Sequence, residues 1–284
     1  MKLARFTVDG RTRLGKVVGD RVVDISAAAP HAGDSMRVLL GQLDAVSGAI
    51  EAVEEPSFTI DQVTLEAPIA DPQKYLAIGM NYQDHADEAA AAGKPVPTSQ
   101  LWFNKQVSCI NGPFSDVDVP KSASDMVDYE AEMGVVIGKR CRHVSREDAR
   151  SVIAGYCVVN DVTARDWQFR SPTFTLGKSF DTHGPIGPWI TTDDEIADPH
   201  ALMMTLELNG EVRQQSSTGK MIYDIFEQIA YLTEVMTLEP GDVIATGTPA
   251  GVGIAGNRFM KAGDVVRVSI DGLGAIENRF VDEA

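Results

Sequence analysis

The 284-residue sequence has only three cysteines, Cys109, Cys141 and Cys157. They show no CxxC spacing and cannot all pair, so neither a disulfide framework nor a cysteine-built metal site is expected. Each reads as a small buried hydrophobe. Long apolar runs are missing too. Stretches such as Val135-Val136-Ile137 and Tyr156-Cys157-Val158-Val159 fall far short of the roughly 20 residues of a membrane-crossing helix. The opening Met1-Lys2-Leu3-Ala4-Arg5-Phe6 lacks the apolar core of a signal peptide, and a reducing cytoplasm is the expected location. Basic charge is scarce: 25 Lys and Arg against 41 Asp and Glu leave a formal net charge of −16. Binding nucleic-acid phosphates or an anionic membrane surface needs the opposite balance, so neither is an expected partner. There is no internal repeat, and no low-complexity tract beyond Ala89-Ala90-Ala91-Ala92.

What is present reads as globular, with 44% hydrophobic and 23% charged residues and length enough for two domains. Leu3, Phe6 and Val8 alternate up to Asp9-Gly10, a hairpin signal. Two more short runs, 14–18 and 21–25, complete an antiparallel meander. Val38, Leu39, Leu40, Leu43, Val46 and Ile50 recur at helical spacing over 35–55. Proline and turn residues at Ala67-Pro68 and Asp71-Pro72 place a boundary near residue 70. The expected organisation is a small β-rich N-terminal domain, 1–70, and a larger domain, 71–284. Strands are expected over 75–78, 130–137, 154–160, 202–208, 242–246 and 265–270. Helices are expected over 83–93, 146–152, 163–169 and 223–236, with Ser145 and Asp148 as a capping box for the second. The fold class is mixed α+β, rich in β.

Carboxylates cluster in Asp128-Tyr129-Glu130-Ala131-Glu132. Residues two apart on a strand share a face, so Glu130 and Glu132 point one way and Ala131, Met133 and Val135 the other. Two neighbouring carboxylates repel and resist desolvation. A divalent cation resolves that conflict, and hard oxygen ligands suit Mg²⁺ or Mn²⁺, with Ca²⁺ also compatible. A solvated strand edge is the plainer alternative. Asp161 ends the apolar run Gly155-Tyr156-Cys157-Val158-Val159-Asn160 and offers a third carboxylate; it could equally cap a helix.

In Gly79-Met80-Asn81-Tyr82-Gln83-Asp84-His85-Ala86-Asp87-Glu88, His85 and Glu88 stand three apart, so on a helix their side chains meet. A carboxylate orienting an imidazole makes a general base near neutral pH; a surface ion pair is the other reading. The small residues that follow, with Gly93-Lys94-Pro95-Val96-Pro97, suit a mobile lid. Lys178, in a Gly/Pro-rich stretch, could carry a developing oxyanion or simply be solvated. His183 has no nameable partner. Gly247-Thr248-Pro249-Ala250-Gly251 offers backbone N–H groups and a hydroxyl to a carboxylate, but lacks GxxxxGK[ST] and is not a nucleotide loop.

Five motifs in this order resemble the fumarylacetoacetate hydrolase family: Gly79-x-Asn81-Tyr82-x-x-His85-x-x-Glu88; Tyr129-Glu130-x-Glu132; Asn160-Asp161-x-Thr163-Ala164-Arg165-Asp166-x-Gln168; Lys178-Ser179-Phe180-Asp181; and Gly247-Thr248-Pro249-x-Gly251. The likeness is to its acylpyruvate hydrolase and 2-hydroxyhepta-2,4-diene-1,7-dioate isomerase-like branch. It implies a β-sandwich roll with peripheral helices, and a homodimer. It implies that Glu130, Glu132 and Asp161 ligate Mg²⁺ or Mn²⁺. His85 and Glu88 match a water-activating dyad, and Lys178 and Gln168 match residues beside the metal that contact substrate oxygens. Thr248 matches a contact to the substrate carboxylate, with Tyr82 grouped alongside it. Arg165, Arg170 and Lys105 are candidate anchors for a distal carboxylate, although Arg165 and Arg170 are equally candidates for ion pairs with Asp166 and its neighbours. Met80 departs from the family pattern. The implied substrate is a small anionic 2-oxo acid. The implied reaction is C3–C4 cleavage of a 2,4-diketo acid to pyruvate and a carboxylic acid. Decarboxylation of oxaloacetate, or isomerisation of an unsaturated 2-oxo diacid, could use the same apparatus.

Overall fold

The computed structural model describes residues 1–91, 93 and 96–284. Turn chemistry organises the N-terminus. Asp9 and Gly10 both hold positive φ, 51° and 70°, as a two-residue hairpin turn demands. They pair Lys2–Val8 with Arg11–Val18, Val8 opposite Arg11. Gly19-Asp20 turns the chain again into Arg21–Asp24, Val18 opposite Arg21.

These strands run on into the main sheet. Lys2–Val8 pairs antiparallel with Gly184–Thr192, Leu3 opposite Ile190. From there the sheet passes through Ile153–Asn160, Ala131–Ile137, Val243–Ala245 and Tyr75–Gly79 to Leu101–Lys105. The Val243–Ala245 and Tyr75–Gly79 pair is parallel. A five-stranded sheet packs against it, ordered Glu211–Ser217, Met203–Leu208, Val265–Ile270, Gly274–Asp282 and Val117–Val119.

The central strands are buried on both faces, so they read as nearly continuous apolar runs. Met133, Val135, Tyr156 and Val158 face Met204, Leu206, Val266 and Val268 of the second sheet. Val136, Cys157 and Val159 face the opposite way, among Val243, Ala245, Leu3 and Met36. All three cysteines are buried and free. Among the described residues no helix is long and apolar enough to cross a membrane.

Several helices are shorter than their sequence suggests, for side-chain turns or strand pairing that the helical spacing does not show. The 35–55 segment breaks at Gly41-Gln42 into Met36–Leu40 and Leu43–Glu51. The Ser145 hydroxyl donates to Asp148 and accepts that residue's N–H, closing a turn on itself. Only a 3₁₀ turn, Ala149–Val152, remains of the expected helix over 146–152. Thr163 and Ala164 pair with Asp128 and Val127, which delays the next helix to Arg165–Gln168. Asp224 accepts the N–H groups of Phe226 and Glu227, both at 2.9 Å, and starts a helix at Ile225–Val235. The His85 helix runs Gln83–Ala91. Ala92, Lys94 and Pro95 of the expected lid lie outside the described residues.

Candidate active site

Strand register brings the three carboxylates together. Ala131 lies opposite Asn160 and Glu132 opposite Val159, so the residue after Asn160 falls beside Glu130. The Asp161 N–H donates to the Glu130 carbonyl at 2.9 Å. Asp161 shares its face with Cys157 and Val159, and Glu132 shares that same face with Val136. The Asn160 side chain accepts the Glu130 N–H at 3.0 Å and so replaces the ladder at that point. The strand therefore begins at Ala131, one residue later than its alternation suggests. One oxygen each from Glu130, Glu132 and Asp161 lie within 4.8 Å of one another, and all three residues are buried.

Three buried cations stand among them. Lys178 Nζ donates to Glu130 Oε2 at 2.6 Å and Asp161 Oδ2 at 2.7 Å. Arg165 bridges Asp128 at 2.8 Å and Glu130 at 2.7 Å. Lys105 Nζ donates to Asp161 Oδ1 at 2.7 Å and to the Val162 and Lys178 carbonyls. Burial opposes ionisation of Glu130, but Lys178 and Arg165 outweigh it and hold its carboxyl down to about 2. Glu132 goes the other way. Burial, then the Asp161 and Glu130 charges, push it well above the usual carboxylate range.

The arrangement fits a divalent cation. Four buried carboxylates, with Asp128, face three buried cations. Of these four, Glu132 is the one with no direct ion pair among the described residues; its Oε2 accepts the Gly247 N–H at 2.8 Å. Three hard oxygen donors with an uncompensated charge are the chemistry of Mg²⁺ or Mn²⁺ ligation.

The His85–Glu88 pair opens on the same cavity, a space of about 780 Å³ whose wall includes Glu130, Glu132, Lys178 and Thr248. His85 Nδ1–H donates to Glu88 Oε2 at 3.2 Å. That bond holds the Glu88 carboxyl below its ordinary range despite partial burial, with help from the Gly251 N–H. The helix start is stitched to the glycine-rich turn as well. Asp84 accepts the Ala250 N–H at 3.3 Å and the Ser216 hydroxyl at 3.3 Å.

Gln168 and Arg165 also reach the cavity wall, but the Arg165 guanidinium is already engaged by two carboxylates. Its partners are Asp128 and Glu130 rather than Asp166, which instead takes the Ser124 hydroxyl and a loose contact from Arg170. Lys105 requires correction as a distal anchor. It lies behind Asp161, fully enclosed, with its ammonium consumed by three oxygens. Tyr82 is likewise enclosed and does not line the cavity; burial, then the Glu132 and Asp84 charges, raise its hydroxyl far above the ordinary range. Asp161 is no helix cap; both its oxygens are taken by lysines. His183 finds a partner after all: Nε2–H donates to the Asp118 carbonyl at 2.9 Å.

Two supporting residues had no role in the sequence reading. Asp128 accepts the N–H groups of Tyr129, Gly253 and Ile254 besides Arg165, tying the wall at 252–254 to the carboxylate strand. Gln214, from the second sheet, donates to Thr248 Oγ1 at 2.9 Å and accepts the Ala131 N–H at 2.9 Å. Asp128 had a signal, standing two residues before Glu130. Gln214 had none, lying 83 residues from Ala131.

This geometry coincides with established likenesses. A model of the fumarylacetoacetate hydrolase C-terminal domain matches residues 74–281. A Burkholderia ambifaria protein, provisionally named a hydrolase, is 42% identical over 282 residues, covering 96% of each chain. Maleylpyruvate hydrolase from Sphingobium sp. SYK-6, solved with manganese(II) and pyruvate, superposes with a TM-score of 0.84 at 36% identity over the whole of both chains. Fumarylacetoacetate hydrolase from Exiguobacterium antarcticum gives 0.89 at 35% identity, again over both full chains. Motif order, a carboxylate triad on paired strands and full-length likeness to solved relatives converge: this chain belongs to the fumarylacetoacetate hydrolase family.

Proposed function

We propose that this protein is a metal-dependent hydrolase of 2,4-diketo acids of the acylpyruvate type, cleaving C3–C4 to give pyruvate and a carboxylic acid. One observation carries the reading: an oriented imidazole and a three-carboxylate cluster open on a single cavity. Glu130, Glu132 and Asp161 would hold Mg²⁺ or Mn²⁺. Such a cation supplies Lewis-acid stabilisation for the 2-oxygen as negative charge develops there.

His85 takes the proton chemistry. With Nδ1–H donating to Glu88, Nε2 presents its lone pair to a water. Nε2 takes a proton from that water as the water oxygen bonds to C4 and the C4 carbonyl pair moves onto the carbonyl oxygen. Re-formation of that carbonyl expels the C3–C4 pair to C3, which takes the proton back from Nε2, and C4 departs as the carboxylic acid, which ionises to the carboxylate. Lys178 adds fixed positive charge where the substrate oxygens would lie. Thr248, held by Gln214, offers its hydroxyl to the substrate carboxylate. The Sphingobium enzyme's pyruvate and manganese(II) accord with this product and this metal class.

Pyruvate release from acylpyruvates tests it. Activity should vanish after EDTA treatment and return with Mg²⁺ or Mn²⁺; full rate in stripped protein would remove the metal from the mechanism. His85→Ala should lower kcat by about 10²- to 10⁴-fold. Oxaloacetate is the control, because losing CO₂ yields pyruvate without water. Oxaloacetate turnover surviving His85→Ala, with acylpyruvates inert, would replace hydrolysis with decarboxylation.

A further inference from the structure

The cavity is larger than pyruvate needs, and its composition is uneven. About 780 Å³ lies in the upper part of the roughly 300–1,000 Å³ range that encloses drug-sized ligands. The charged groups are gathered at the carboxylate cluster and the His85–Glu88 pair. Apart from Gln168, bonded to Arg165, and Thr248, beside Gly247, the rest of the described wall is hydrocarbon, including Met80, Val96, Leu101, Phe103, Phe174 and Ile254. Phe103 and Phe174 meet edge to face at 5.9 Å and make one side rigid.

We propose that this wall receives an apolar substituent on C4, an alkyl or aryl group of several carbons, rather than a chain ending in a second carboxylate. The inference rests on the acylpyruvate reading above and specifies its substrate class. Among the described wall residues the cations are Arg165 and Lys178, besides His85, and each is committed. Arg165 serves Asp128 and Glu130, Lys178 serves Glu130 and Asp161, and His85 faces Glu88. Beyond that polar end, a terminal carboxylate would lose its water and meet hydrocarbon side chains that offer nothing in return, whereas an alkyl chain gains by the same desolvation.

The test compares acetyl-, hexanoyl-, benzoyl- and succinylpyruvate. Expected is a kcat/KM that climbs up to about fourfold per added methylene, with succinylpyruvate at least about 100-fold below hexanoylpyruvate. Met80→Arg, which sets a cation on the wall, should shift the hexanoyl-to-succinyl ratio at least tenfold toward succinyl. Preference for succinylpyruvate in the native protein would overturn the proposal, whichever side chain anchors it, Lys94 included. An unchanged ratio in an active Met80→Arg variant would overturn it as well. Binding separates this from the hydrolase reading. Calorimetry on the Mn²⁺-loaded protein should show 2-oxoheptanoate binding more tightly than 2-oxopimelate. If no acylpyruvate is cleaved, the hydrolase reading falls, and the binding order alone decides the wall: alkyl first supports the proposal, diacid first or equal overturns it.

Discussion

Among single residues, Lys105 is the one whose role changed most between sequence and structure. A lysine beside an aromatic strand invites a surface or ligand-binding role. Here it ends the strand Leu101–Lys105 on the face of Phe103, and that face points inward. Burial alone would depress its ammonium, but Asp161 at 2.7 Å more than reverses this. The pair is worth little as a net stabiliser, yet removing Lys105 leaves the buried Asp161 with Lys178 alone and two carbonyls without their donor. Lys105→Met, of similar length but uncharged, should therefore lower unfolding stability by about 3–5 kcal/mol, measured by urea denaturation in EDTA. A loss below about 1 kcal/mol would mean that water reaches Asp161. No local pattern announces this contact, because its partners lie 56 and 73 residues away.

At the scale of elements, legibility followed the range of the interactions that fix each one. The Asp9-Gly10 hairpin needs only its two turn residues and alternating neighbours, and the structure pairs it as read. Strand Val265–Ile270 begins and ends where its alternation does. Glu130 and Glu132 share a face because the strand period of two permits nothing else. Helix limits were less legible, since they depend on side-chain turns and on distant strands such as Val127–Asp128, which claims Thr163 and Ala164. The glycine-rich turn shows the same division. Its composition is plain in the sequence, but the need for glycine at 247 is not. Gly247 has φ +97°, a Cβ there would press on Asn81, and its N–H serves Glu132. Gly247→Ala should cost on the order of 1–3 kcal/mol in urea unfolding and weaken Mn²⁺ binding in a calorimetric titration. Unaltered metal affinity would separate the turn from the carboxylate cluster.

For the whole molecule, stability toward acid is set partly far from any surface charge. His183 is buried, and burial pushes its imidazole from 6.5 down to about 4, only partly offset by the Asp118 carbonyl. The unfolded chain takes up this proton as pH falls through 6.5, while the folded protein resists until about 4. The contribution is therefore complete above the upper value and drains away toward the lower, by on the order of 3 kcal/mol. His183→Gln should flatten this acid limb in urea unfolding followed from pH 7 to pH 4. A limb as steep in the variant as in the native protein would assign the acid sensitivity to other groups.

The division of the cavity into a cross-linked charged floor and a hydrocarbon wall bears on how such a protein can diversify. Each floor residue answers to several others: Arg165 to two carboxylates, Asp161 to two lysines, Asp128 to three backbone amides. Replacing one strands its neighbours, so the floor changes together or hardly at all. Wall residues such as Leu101 and Ile254 answer only to volume and shape, where exchanges among hydrophobic side chains are individually cheap. New ligand ranges are therefore reachable by single steps along the wall, each leaving the charged floor intact, so one floor can underlie many specificities.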